Sequence, residues 1–154
     1  QALLLGRSVR ENLTLSVLNR LRSGLFLNKG KETTLVERAI AELHIAAANR
    51  EVEVRTLSGG NQQKIVMGRW LAIEPGVLIL DEPTRGIDVQ AKAQIFRILE
   101  DLAAKGLAII FISSELEEVL LISHRVLTMA RGRIVADKPV RETSMGELML
   151  SVVL

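Results

Sequence analysis

The sequence predicts an α/β fold, and three observations carry that prediction. Before Gly76, apolar residues recur at helical spacing. After it come two short continuous apolar runs, Val77–Leu80 and Leu107–Ile112, each suited to a strand buried on both faces. Between them lies an amphipathic stretch, Val89–Ala104, so strand, helix, strand, helix, strand follow in the order of a doubly wound parallel layer.

Taken in order, Ser8–Leu21 is predicted helical, because Val9, Leu13 and Val17 recur every four residues and Leu21 extends the row. Arg22–Gly30, with glycines at 24 and 30, reads as a surface connection. Lys31–Ile45 carries Leu35, Val36, Ala39, Ile40 and Leu43 on one helical face. Ser58 is placed to cap a helix that continues to about Leu71. Val77–Leu80 follows as the first strand. Val89–Ala104 presents Ile95, Ile98, Leu99 and Leu102 on one side and stops at Gly106. Leu107–Ile112 is the second strand, and Ser114–Ile122 a short helix in which Ser114 and Glu117 match a capping box. Arg125–Ala130 and Arg133–Ala136 flank Arg131-Gly132 as a hairpin. A last amphipathic helix runs from about Thr143 to the end.

The 154 residues are 48% hydrophobic and 25% charged, with a formal net charge of +2. That suits one globular domain with a real core and excludes disorder. The apolar runs fall far below the roughly 18 residues a membrane span needs. No cysteine is present, which excludes disulfides, thiolate metal sites and a cysteine nucleophile. Twenty Lys and Arg against 18 Asp and Glu leave no basic footprint for nucleic acid. The chain opens on Gln1 rather than Met and reads as a partial one.

Three segments carry chemistry. In Leu57-Ser58-Gly59-Gly60-Asn61-Gln62-Gln63-Lys64, two glycines leave the backbone bare at the first turn of a helix. Exposed N–H groups and the positive end of the helix dipole then suit an anion, although an ordinary capped helix has the same look. In Val77–Pro83, Asp81 and Glu82 emerge at the C-terminal end of a buried strand, where open α/β sheets bind ligands. Successive strand residues face opposite ways, so the two carboxylates are suited to separate jobs: one holding magnesium, the other activating water. Solvated acids at a strand end are the plainer alternative. Thr84–Asp88 links that strand to the next helix, and Asp88 suits its N-cap.

In this order the three segments resemble the ATPase cassette of ABC transporters. Leu57–Gly60 is similar to the signature motif, Val77–Glu82 to the Walker B strand, and Gly86-Ile87-Asp88 to the D-loop. Asn-Gln-Gln-Lys after the glycines and Asp-Glu-Pro-Thr-Arg-Gly-Ile-Asp resemble the second cassette of the tandem ATPases of bacterial sugar importers. The likeness extends from Ser8–Asn12 through Phe111–Val119 to the last helix.

The resemblance implies ATP and Mg²⁺ as cofactors. Ser58, Gly59 and Gly60 would meet the γ-phosphate of an ATP held mainly by the opposite cassette, with Asn61 making a similar polar contact. Asp81 would orient magnesium through water, Glu82 would be the general base, and Asp88 would join the contact between cassettes. Residues 1–73 would be the α-helical subdomain facing a membrane permease, and 74–154 the second half of a P-loop NTPase-like core. The partners implied are a second cassette, the permease and, indirectly, a solute-binding protein, at the cytoplasmic face of the plasma membrane. The alternative is a truncated, non-enzymatic remnant of such an ATPase or, less favoured, a soluble ABC ATPase acting on nucleic acid or ribosomes.

Two departures stand out. No Walker A loop is present: between Gly24 and Thr33 the two glycines are separated by five residues rather than four, and Glu32 stands where Ser or Thr would ligate magnesium. The chain is therefore expected to be the C-terminal half of a cassette, unable to bind ATP alone in the usual way and exposing apolar sheet faces. Ser114 occupies the place of the family's switch histidine. His44 and His124 are expected to be structural, Trp70 a core anchor, Arg131-Gly132-Arg133 a solvated turn, and Leu148–Leu154 part of a packed helix.

Overall fold

A computed structural model describes residues 3–24 and 26–153, with the backbone alone at 151–153. Two compact units emerge, Gln1–Leu78 with Thr84–Ala108, and Ile79–Pro83 with Ile109–Leu154.

In the first unit, α1 (Val9–Thr14) starts at Ser8, whose side chain accepts from the Glu11 N–H while the Glu11 carboxylate accepts from the Ser8 N–H. This reciprocal box satisfies two donors that a helix end otherwise strands. A 3₁₀ turn, Leu15–Val17, follows, so the predicted helix over Ser8–Leu21 is shorter than its pattern. The pattern itself holds: Val9, Leu13, Val17 and Leu21 are all buried. The predicted connection Arg22–Gly30 instead contains a minimal hairpin, β1 (Arg22–Ser23) and β2 (Phe26–Leu27), around Gly24 in the left-handed region. Leu25 lies outside the described residues. Helix α2 (Lys29–Glu42) begins before the predicted Lys31, because the Asn28 side chain accepts from the Lys31 N–H and draws Gly30 into the first turn.

Helix α3 (Gly59–Leu71) packs on α1, and α4 (Val89–Ala104) packs on α3. Trp70 corrects the expectation of a core anchor: it is 48% exposed, because Ile65, Met67 and Gly68 take the buried face of α3. Between α1 and α3 lies a buried polar knot. The Asn12 side chain donates to the Leu4 and Ser8 carbonyls (both 3.0 Å) and accepts from the Leu4 N–H (3.0 Å). Arg69 donates through Nε to the Asn12 carbonyl (2.9 Å) and through Nη2 to its side-chain oxygen. Burial pulls the Arg69 guanidinium below its ordinary pKa, so these acceptors are what make its charge tolerable there. α4 ends as predicted, with Gly106 in the left-handed region donating to Ala103.

In the second unit, β3 (Val77–Asp81), most of which belongs here, and β4 (Ala108–Ile112) pair as a two-stranded sheet joined through α4. The burial on both faces that the two runs suggest is corrected, and the open apolar sheet face also expected for this chain is what is seen. Leu78 and Leu80 are buried, whereas Val77 and Ile79 are 53% and 63% exposed, and Ile110 and Ile112 are exposed too. A sheet with one covered face buries only alternate residues. Helix α5 (Leu116–Ile122) follows. The predicted capping box at Ser114 does not form, and the helix start at Glu115 has no side-chain cap; Ser113, just before it, accepts from the Glu115 N–H (3.0 Å) and donates to buried Glu118 (2.9 Å).

Strands β5 (Arg125–Ala130) and β6 (Arg133–Pro139) form the predicted hairpin, longer on its second arm, with a bulge at Thr128/Met129. Arg131 and Gly132 both have positive φ, the signature of the tight turn that matches strand twist. Helix α6 (Met145–Val153) packs Leu148 inward and contacts β5 and α5. Leu154, in the predicted span of that helix, lies outside the described residues.

Asn12→Ala should destabilise the fold by about 2–4 kcal/mol, because it strands buried donors and acceptors on both helices. Urea unfolding measures this as a lower midpoint with an unchanged slope; an unchanged midpoint would remove the knot from the account.

Candidate functional site

The first cluster sits at the start of α3. Ser58 is extended and caps the helix, its Oγ accepting from the Asn61 N–H (3.4 Å) and from Asn61 Nδ2 (3.0 Å). Asn61 Oδ1 in turn accepts from the Ala46 N–H (2.8 Å). Gln62 donates to the carbonyls of Leu57 (2.9 Å) and Val54 (3.3 Å), tethering the approach to the helix. The amides of Gly59 and Gly60 lie in the first turn, where helical N–H groups have no partner within the helix and the helix carries about half a positive charge.

The two glycines differ in their need for bareness. A Cβ on Gly59 would sit 3.6 Å from Ile87, an ordinary contact. On Gly60 it would fall 2.5 Å from the Ala91 Cβ and 3.7 Å from its Cα, so the bare backbone of the helix start packs on the Ala91 methyl of α4. Asp88 caps α4 by accepting from the Ala91 N–H (2.9 Å), as predicted for its plainer reading. One turn into α3, buried Lys64 donates to the His44 carbonyl (2.9 Å) and to Gln94 Oε1 of α4 (2.7 Å). Burial lowers its pKa, and these two acceptors replace the lost water. His44 contributes through its backbone, in the left-handed region.

The second cluster belongs to the second unit. Asp81 ends β3 and is exposed. Glu82 follows the strand rather than continuing it, with φ of 49°, a costly conformation for a side chain of this kind. The pleat therefore stops at Asp81, and the alternation expected to separate the two carboxylates does not extend to Glu82. Its backbone N–H donates to Ile112 (2.9 Å), and its Oε1 accepts from the Ser114 N–H (2.8 Å). Glu82 and Ser114, 32 positions apart, are thereby brought together.

Ser58, Gly59, Gly60, Asn61 and Asp88 thus share one unit, and Asp81, Glu82 and Ser114 share the other. The rejected glycine pair at 24 and 30 holds no phosphate-type loop: Glu32 is buried in an ion pair with Arg10 (2.9 Å), within a helix. Among the described residues, no group of three or more His, Cys, Asp or Glu could hold a metal by itself. A magnesium ion that arrives with nucleotide phosphates needs only one or two protein carboxylates, which exposed Asp81 can satisfy through water. Among the described residues, no helix is long and apolar enough to cross a membrane.

Sequence reading missed Ala46, Lys64, Gln94 and Ser113. Ser113 adjoins the serine that the pattern selects, but Leu116 stands three residues after Ser113, so the pattern points to Ser114 alone. The roles of Ala46 and Gln94 rest on contacts 15 and 30 positions away, beyond any local pattern.

The sequence model of the ABC transporter family matches residues 1–85. A ribose import ATP-binding protein of Mesorhizobium japonicum is 50% identical over 137 residues, 89% of this chain and 27% of that protein. An arabinose import ATP-binding protein of Rhizobium meliloti is 50% identical over 133 residues, 86% of this chain and 26% of its own. The chain spans about a quarter of the length of the curated relatives it matches. Among solved structures, an inward-facing putative metal-chelate type ABC transporter superposes with TM-score 0.84 at 20% identity, over 98% of this chain and 59% of that one. A nucleotide-free ATP-binding cassette from an ABC transporter gives 0.72 at 27% identity, over 88% and 56%.

Gly60→Ala should cost about 1–3 kcal/mol by wedging α3 from α4, whereas Gly59→Ala should fall within about 1 kcal/mol. Thermal unfolding of the two variants compares them, and equal effects would contradict the close approach at Ala91.

Proposed function

Because the chain belongs to the ABC transporter family, we propose that it is part of an ATPase that energises import of a sugar or sugar-like solute through a membrane permease. The observation that carries this is the bond from Ser114 to Glu82 at the end of β3, which aims a carboxylate from a strained backbone. Support for the solute class comes from relatives whose names specify ribose and arabinose import. The sugar itself would be selected by the permease and a solute-binding protein.

In this reading Glu82 is the general base. Its Oε1 is held by the Ser114 N–H, which leaves Oε2 to accept a hydrogen bond from water and take its proton as that water attacks the γ-phosphorus. The bond from that phosphorus to the bridging oxygen breaks, with ADP leaving and phosphate as the other product. Asp81 would hold Mg²⁺ through water, and the ion would supply charge neutralisation on the phosphates. Ser58, Gly59, Gly60 and Asn61 face an ATP held mainly by an opposite cassette, and Asp88 lies on that same cassette-to-cassette surface. Residues 1–73 act as the helical subdomain toward the permease, and 74–154 as the second half of the core, in the second cassette of a tandem protein. The whole sits peripherally at the cytoplasmic face of the membrane.

Ser114 stands where the family resemblance implies a histidine, and a hydroxyl does not titrate near neutral pH. Its contact with Glu82 is made by backbone, so the side-chain exchange leaves that support in place.

Two tests follow in the complete parent protein with its other cassette disabled. Glu82→Gln should lower turnover by about 100-fold or more while ATP-driven pairing of cassettes persists; wild-type hydrolysis would refute the base. Ser114→Ala should stay within about threefold of wild type, and Ser114→Pro, lacking the N–H, should lose about tenfold or more. Equal kcat in the two would deny the backbone contact a role.

A further inference from the structure

The hydrogen bonds at the first turn of α3 run in one direction. The Ala46 amide is only a donor, so the asparagine oxygen must face it, and the amide nitrogen of Asn61 must then face Ser58. A serine oxygen has two lone pairs and one proton. Both acceptor places on Ser58 Oγ are taken, one by the Asn61 N–H and one by Asn61 Nδ2. What Ser58 has left is its proton, and a hydroxyl in that state can only donate. At the positive end of a helix, the group it suits is an anionic oxygen.

The segment that starts this relay is itself fixed. Lys64, one turn after Asn61 and on the same side of α3, donates to the His44 carbonyl. Asn61 and Lys64 therefore grip both ends of His44–Ala46. The grip is costly to release, because letting go would take from a buried ammonium group one of its two named acceptors. Lys64 also reaches Gln94, so the helix carrying Asp88 is tied to the same point.

We infer that Asn61 is a positioning residue: it turns the Ser58 hydroxyl into a donor toward the nucleotide phosphate and acts on the nucleotide through Ser58. This replaces the direct polar contact that the family resemblance implies for Asn61. The inference rests on the reading of α3's first turn as a nucleotide-facing surface.

The test is a double-mutant cycle on ATP turnover in the full-length transport ATPase assembled with its permease. Ser58→Ala removes the donor. Asn61→Leu removes both of the side chain's bonds at similar volume and adds no charge, with Asn61→Ala as the second variant should Leu not be tolerated. Ser58→Ala should lower kcat about 10- to 100-fold, and Asn61→Leu about 3- to 10-fold. The double variant should match Ser58→Ala alone, because Asn61 has nothing left to act through. A double variant as slow as the product of the two single effects would overturn the inference, as would Asn61→Leu turning over like wild type. A general structural role predicts additive losses together with a lower melting temperature in both backgrounds, which overturns it equally. If Ser58→Ala alone leaves turnover unchanged, the nucleotide-facing reading itself fails; additive losses with an impaired Ser58→Ala remove the positioning role only.

Discussion

The first unit depends on a contact from which a side chain is missing. Gly60 lets the start of α3 lie against Ala91 of α4, where even a methyl group would fall 2.5 Å from its neighbour. With the Gly60 backbone seated on the Ala91 methyl, the Ser58 cap, the Asp88 cap and the Lys64–Gln94 bond become parts of one corner. Small residues at a helix start are usually explained by backbone freedom. Here Gly60 is required by proximity, and the freed amides are a consequence.

The second unit is organised by a different device. Glu82 adopts a left-handed backbone that a glutamate ordinarily avoids, and two hydrogen bonds from its surroundings hold it there. Strain of this order persists only where neighbouring structure over-determines it. The Ser113–Glu118 bond steadies the segment that supplies the Ser114 N–H. The carboxylate is thus aimed by main-chain geometry at both ends, which makes its direction insensitive to the side chain at 114.

Much of this was legible in the sequence, for reasons that can be named. The helices around Leu35–Leu43 and Ile95–Leu102 followed from apolar spacing, and the caps at Ser58 and Asp88 from residue type alone. The tight hairpin at Arg131-Gly132 followed from its turn chemistry. What stayed illegible depended on partners distant in the chain. A run such as Val77–Leu80 does not tell whether one face or two is covered, and Val77 and Ile79 remain exposed. The two-residue strands at 22–27 are too short to show alternation. Trp70 is apolar enough for a core but stands on the face of α3 that the buried residues leave. The bond from Ala46 to Asn61 has no local signature, so the residue that sets Ser58 was visible while its own support was not.

The central claim is that the first turn of α3 is a phosphate-binding surface. A structure of the complete parent protein with a non-hydrolysable ATP analogue and Mg²⁺ tests it most directly. The account predicts a γ-phosphate oxygen of a nucleotide from the opposing cassette at about 2.5–3.0 Å from Ser58 Oγ, with the Gly60 amide pointing at the same group. An ordered γ-phosphate that stays more than about 5 Å from every α3 donor, beyond hydrogen-bond reach, would contradict it.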